Sequence, residues 1–284
     1  MQQRLYGDKR VWLIIRMNRT ETWEGQKDMK RERSKTAGNK KIYGIAAAFF
    51  WLLVWQLTAA AVNSEIFLAS PLKVIKAFLQ LAGKGLFWLS IFNSCFKILM
   101  GLLLAVVFGI LLAVLSYNSR LLKELILPFM RIIQATPVAS FIILALLWVS
   151  SANLSVLCAF LMVVPVIYTN VLQGLFSTDP KMLEMAQVFR IRTGKKIRYL
   201  FIPAVMPFFV SACSVGLGLC WKAGIAAEVI GLPRNSIGEQ LYESKIYLMT
   251  DQLFAWTIVI IFISVVSEKL LLRIVRLLQK KWSG

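Results

Sequence analysis

From residue 42 onward the sequence is a succession of long apolar runs separated by short polar and basic stretches. A hydrocarbon core about 30 Å thick is crossed by roughly 20 apolar residues rising about 1.5 Å each. Six runs approach that length: 42–62, 98–117, 125–149, 154–172, 200–230 and 253–272. Prolines interrupt three of them, at Pro128 and Pro137, at Pro165, and at Pro203 and Pro207. The pattern predicts an all-α, polytopic membrane protein with six transmembrane helices. The first run also reads as a cleaved leader, since Ala59-Ala60-Ala61 resembles a small-residue cleavage site. Its length exceeds the roughly 7–15 residues of a leader's apolar region, which favours a retained span.

Residues 1–41 have a different character, with 12 Lys/Arg, 5 Asp/Glu and a single apolar stretch at 11–15. Such a segment cannot bury enough apolar surface to offset ordering, so it is expected to be largely disordered. Met29 opens the run Met29-Lys30-Arg31-Glu32-Arg33, and translation is expected to start there or at Met17. The remainder, 42–284, reads as one transmembrane domain.

Loop charges orient the spans, because Lys and Arg are retained on the cytoplasmic side. With the N-terminus inside, that side carries the basic N-terminal segment, Arg120, Lys123, the cluster Lys181, Arg190, Arg192, Lys195, Lys196 and Arg198, and the basic tail. The outer side holds Lys73, Lys76, Lys84, Arg234 and Lys245, with Lys97 at a helix edge. This predicts an N-in, C-in topology.

Composition agrees. Apolar residues make up 58% and charged residues 17%, against roughly 45–50% and about 25% in soluble domains. The mean hydropathy is +0.68. The formal charge of +19 is accounted for by topology and anionic headgroups, without nucleic acid. The absence of histidine excludes His-dependent triads and His-ligated zinc. Cys95, Cys158, Cys213 and Cys220 form no Cys-x-x-Cys pair, and are expected to be buried, unpaired thiols with no metal.

Gly101, Ala105, Gly109 and Ala113 recur at four-residue spacing, as do Ala212–Gly216 and Ser214–Gly218. Small-residue stripes let helices approach closely in lipid. Bundle packing and faces that slide past one another both remain open for them.

The most informative stretch is 177–207. Asp179 is a good N-cap and Pro180 suits the first helical position. Met182, Met185, Ala186 and Phe189 follow at i, i+3, i+4 and i+7, one apolar face on a short helix. In a cytoplasmic loop that face requires either a fold-back on its own bundle or a groove on a partner. Glu184-Met185-Ala186 followed by Leu200, Ile202 and Pro203 resembles the EAA loop of permease subunits of ATP-binding-cassette importers. The family pattern is Glu-Ala-Ala, three residues, Gly, nine residues, Ile-x-Leu-Pro. Met185 replaces the middle Ala. Arg190 stands where Gly is usual, so the turn is expected either there or at Gly194. Arg at that position, Trp221–Glu228 and Ser236-Ile237-Gly238 are similar to the nitrate/sulfonate/taurine-type branch.

The resemblance implies a type I importer permease in the cell membrane, with two permease copies forming a homodimeric pathway. Two copies of a separate ATPase would each receive a coupling helix through Met182, Glu184, Met185, Ala186, Phe189, Arg190 and Gly194. An extracytoplasmic binding protein would deliver the solute. The chain itself has no Gly-x-x-x-x-Gly-Lys-[Ser/Thr] phosphate loop. No cofactor and no enzymatic activity of its own are expected.

Three ionisable residues within the spans stand out: Arg131, Lys222 and Glu228. Such groups pair, snorkel, or line a water-filled path. If they line the path, Lys222 favours an anionic solute and Glu228 opposes it. Between the last two spans, Ser236 and Glu239 form a capping box that opens a helix to about Tyr247. That helix is expected to pack on the mouth of the bundle or to meet the binding protein. The alternatives are a membrane-embedded enzyme and a secondary transporter or pore. The first needs convergent acids or histidines. The second usually shows inverted repeats or several buried carboxylates. The nine acidic residues after position 41 are scattered along the chain.

Overall fold

The computed structural model describes residues 43, 46–62, 64 and 66–283. The expectations for 1–41, disorder and the start site included, lie outside them. No strand occurs among the described residues. The chain divides into two units, Met1–Asn63 and Ser64–Gly284. In the first, α1 (Ala46–Val62) is a short apolar helix. Ten helices follow in the second: α2 (Pro71–Ala82), α3 (Gly85–Asn118), α4 (Arg120–Ala135), α5 (Val138–Ala145), α6 (Ser151–Phe176), α7 (Pro180–Val188), α8 (Thr193–Lys196), α9 (Ile202–Gly231), α10 (Ile237–Ile246) and α11 (Thr250–Ser283).

Among the described residues three helical stretches are long and apolar enough to cross a membrane: α3, α6 and Thr193–Gly231. A fourth results if α4 and α5 together count as one broken span. These two helices are bent by 103°, so 125–149 is not the single interrupted helix expected. Pro128 sits inside α4 without ending it. The break comes at Pro137, which drives Thr136 into extended backbone (φ −74°, ψ 127°).

The second unit is built on α3, α6 and α9. On α3 the buried positions include Gly101, Ala105, Gly109 and Ala113, while Leu103, Val107 and Leu111 point outward. A Cβ on Gly101 would strike Ala159 and the Val156 carbonyl, and one on Gly109 would strike Ile167. The small-residue stripe is therefore the surface on which α6 lies. Gly216 of α9 meets Val163 of α6 in the same way, whereas a Cβ on Gly218 would meet nothing. Ile142, Ala145, Leu154, Cys158, Ala223 and Ala227 close one core across α5, α6 and α9. Trp221 donates to Ser267 at 2.9 Å and Ser214 donates to Glu268 at 3.0 Å, joining α9 to α11. Cys158, Cys213 and Cys220 are buried, Cys95 is half-buried, and all four are unpaired.

The helix α2 lies in a stretch the hydropathy pattern treats as loop. Its signals are Ser70 before Pro71 at the helix start and the buried set Val74, Ala77 and Leu81. It is too short and too charged to register as a span.

Candidate functional site

The polar loop between α6 and α9 starts and ends on an aromatic cluster. Tyr117, at the end of α3, packs its ring 5.3 Å from Phe176 at the end of α6. It also lies 5.6 Å from Phe201, where the chain re-enters the bundle. Lys123 of α4 sits 4.7 Å over the Phe176 ring. Residues 197–201 form a π-helical turn. A proline ring presses on the carbonyl four residues before it, here Tyr199 before Pro203, and the wider turn relieves that contact.

Between these anchors stands α7. Asp179 accepts from the Lys181 N–H at 2.9 Å, and Pro180 occupies the first turn. Leu183 is half-buried and Ala186 is fully buried, so one edge of the helix rests on its own chain. Glu184 is exposed. Met182, Met185, Val188 and Phe189 are exposed, Phe189 by 74%. The apolar face read from the sequence thus divides: Ala186 points in, and the other three point out. Val188 joins them, a residue that strict i, i+3, i+4 counting passes over.

The helix ends in a full Schellman turn. The Ile191 N–H donates to the Ala186 carbonyl at 2.9 Å and the Arg190 N–H to the Gln187 carbonyl at 3.0 Å. Arg190 itself takes the left-handed conformation, at φ 48°. Gly194 lies inside α8 without a positive φ. The turn therefore occurs where the family pattern places Gly, carried by an arginine. A side chain costs about 1 kcal/mol or more in that conformation. Arg190→Gly is expected to raise the thermal midpoint slightly, by roughly 1 kcal/mol of stability. A lowered midpoint would mean the guanidinium contributes more than the strain.

At the opposite end of α9, Glu228 is fully buried. Its Oε2 accepts from Ser94 Oγ at 2.7 Å and from the Gly238 N–H at 3.2 Å. Ser94 Oγ in turn accepts from the Ile237 N–H at 2.9 Å. Ser236 accepts from the Glu239 N–H at 3.1 Å, and the Glu239 carboxylate accepts from the Asn235 N–H at 2.6 Å. The Ser236 cap thus forms and starts α10 one residue later, while the return bond of Glu239 goes to the N–H of Asn235 rather than to that of Ser236. Lys222 is exposed on the α9 face that carries Ser211, Val215 and Gly218, and Arg131 is exposed on α4. Among the described residues no ion pair or hydrogen bond joins Arg131, Lys222 and Glu228.

A family model described as binding-protein-dependent transport system inner membrane component matches residues 105–284. The chain belongs to this family. It is 25% identical over 236 residues to the putative aliphatic sulfonates transport permease protein SsuC of Bacillus subtilis (strain 168), covering 81% of this chain and 82% of that protein. It is 24% identical over 220 residues to the taurine transport system permease protein TauC of Escherichia coli (strain K12), covering 75% and 80%. A solved structure titled as an amino acid ABC transporter with histidines superposes at a TM-score of 0.51 and 19% identity, covering 68% of this chain and 94% of that one. At that identity the likeness is one of fold. The chain is accordingly the multi-pass, inner-membrane permease subunit of an ABC importer.

Proposed function

We propose that this permease moves a small anion-bearing solute, of the sulfonate, taurine or nitrate type, inward through a homodimeric pathway. Each copy passes the membrane six times, with both termini in the cytoplasm. Each docks one ATPase subunit through α7 in the manner of an EAA loop, and an extracytoplasmic binding protein delivers the solute. The observation that carries this reading is the exposed apolar arc Met182, Met185, Val188 and Phe189 on a helix rigidly capped at both ends. A small, stiff, apolar ridge suits insertion into a groove. Tyr117, touching both stems of the loop, offers a route for motion of α7 into α3. Lys222 on its open face is the favoured contact for an anionic solute. Glu228, which accepts two hydrogen bonds inside the chain, is assigned to holding α9, α3 and α10 together. Arg131 is assigned a weaker part, attracting solute or headgroups.

The test is reconstitution. Uptake into proteoliposomes is expected to require this chain, the ATPase encoded with it, a binding protein and ATP together. The purified chain alone is expected to turn over no ATP. Solute accumulation without an ATPase, or nucleotide turnover by the chain alone, would remove the importer reading.

A further inference from the structure

The helix α2 presents three faces. Val74, Ala77 and Leu81 are buried, where α2 packs on α11 and α3. Leu72, Ile75 and Leu79 recur at i, i+3 and i+7 on a second face, exposed by 66%, 56% and 64%. Phe78 widens that arc, with its ring 6.0 Å from Phe87. Lys73, Lys76 and Gln80 repeat the same spacing on the third face, and all three are exposed.

Two faces of α2 are thus apolar, and the bundle covers one of them. The other has to be taken out of water by something else. With 12 residues at about 1.5 Å each, α2 reaches roughly 18 Å, short of a hydrocarbon core of about 30 Å. Crossing the membrane therefore cannot bury it. An apolar arc beside a lysine face suits a helix lying in the plane of the bilayer surface, with the arc turned toward the acyl chains.

The corner between α2 and α3 marks the depth. The Trp88 indole donates to the Ala82 carbonyl at 3.0 Å, tying the end of α2 to the first turn of α3, while its ring is 60% exposed. Indoles with a satisfied N–H and an open apolar ring gather at the membrane–water boundary. One turn further on, Phe92 is exposed too, so the arc of α2 continues into the outward surface of a membrane-crossing helix. Before α2, Ile66 and Phe67 are exposed, and Thr250 donates to the Ile66 carbonyl at 2.6 Å, which fastens this approach to α11.

We infer that α2 is an interfacial helix that binds anionic phospholipid, with Leu72, Ile75, Phe78 and Leu79 among the acyl chains and Lys73 and Lys76 on headgroup phosphates. This holds whichever solute is carried and whichever side of the membrane this end of the bundle faces. The lysines favour the bilayer over a second copy of the chain as the cover. A symmetric pairing through the same arc would gather the lysines of both copies at one seam.

The experiment is photo-crosslinking of the full chain in nanodiscs of equal parts phosphatidylglycerol and phosphatidylcholine, with p-benzoylphenylalanine placed at Ile75 and the products read by intact-protein mass. Capture of lipid is expected, with phosphatidylglycerol favoured roughly threefold or more. The same probe at Gln80, on the lysine face, is expected to capture lipid roughly threefold less often or below. Adding Lys73→Gln and Lys76→Gln is expected to bring the ratio of the two lipids toward one while total capture at Ile75 stays unchanged. That split is a readout that a displaced or unfolded helix would not give. Capture of a second copy of the chain at Ile75, or no lipid capture there, overturns the inference. Equal capture at Ile75 and Gln80 does so as well, as does a wild-type chain without preference for phosphatidylglycerol or a preference that survives the two lysine changes.

Discussion

Gly238→Ala is expected to destabilise the bundle by about 3 kcal/mol or more, the upper part of the range for overpacking a tight core. A Cβ at this position would overlap the Glu228 Cβ and carbonyl carbon and the Val229 nitrogen. None of these is the mobile end of a flexible side chain, so α10 as a whole has to move. Moving it breaks the Gly238 N–H bond to Glu228 and the Ile237 N–H bond to Ser94. A fully buried carboxylate would then keep only the Ser94 hydroxyl. The measurement is the thermal midpoint in detergent, where a loss of roughly 6–12 °C corresponds to that energy in a domain of this size. Proteolysis between α9 and α11 should rise in parallel. Ser94→Ala is expected to cost less, about 1–3 kcal/mol, because the Gly238 donor remains. A Gly238→Ala protein of wild-type stability with a protected α10 would show that the close approach is not required.

Glu184→Lys and Phe189→Ala are expected to abolish or strongly reduce both ATPase co-purification and uptake, while the protein still inserts and folds. Glu184 and Phe189 are exposed on α7, so neither change opens a cavity in the permease itself. An unfavourable charge contact in a partly buried interface costs on the order of a few kcal/mol. Losing a buried aromatic anchor costs about 2 kcal/mol or more, enough for a roughly 30-fold loss of affinity. Val188, exposed beside them, gives a third variant: Val188→Asp is expected to act in the same direction. The comparison is pull-down of the ATPase against uptake in the same membranes. Wild-type docking by both Glu184→Lys and Phe189→Ala would mean that α7 is not the coupling element.

The parts read from sequence alone share a physical property: each is decided by residues close together along the chain. The long helices α3, α6 and α9 follow from apolar runs, since a buried or lipid-facing helix needs only local hydrogen bonds and apolar side chains. The start of α7 at Asp179-Pro180 and the Ser236 cap of α10 are contacts within four residues, and both form as the local pattern predicts, with Glu239 reaching one residue further back to Asn235. The Gly101-to-Ala113 stripe read as a surface of close helix approach, since small residues at helical repeat let backbones meet in lipid, and the structure lays α6 on it.

The tertiary structure decided what depends on distant partners. Periodicity put Ala186 on one face with Met182, Met185 and Phe189. Only the packing of α7 on its own chain divided that face into one buried and three outward residues. The turn at Arg190 was ambiguous in sequence, because a left-handed arginine is held by the surrounding Schellman bonds rather than by its own preference. Lys222 and Glu228 are both charges within one apolar segment of sequence. Six residues of helix rotate them to different sides, one exposed and one sealed beneath Ser94 and Gly238. No local signal could have paired Glu228 with Ser94, 134 residues away. The same holds for α2, where packing on α11 and α3 decides which of its two apolar faces is sealed and which stays open. Sequence determined that this chain is helical, membrane-borne and capped where it is. Packing between remote segments determined which of its polar groups are sealed as structure and which are left open to other molecules.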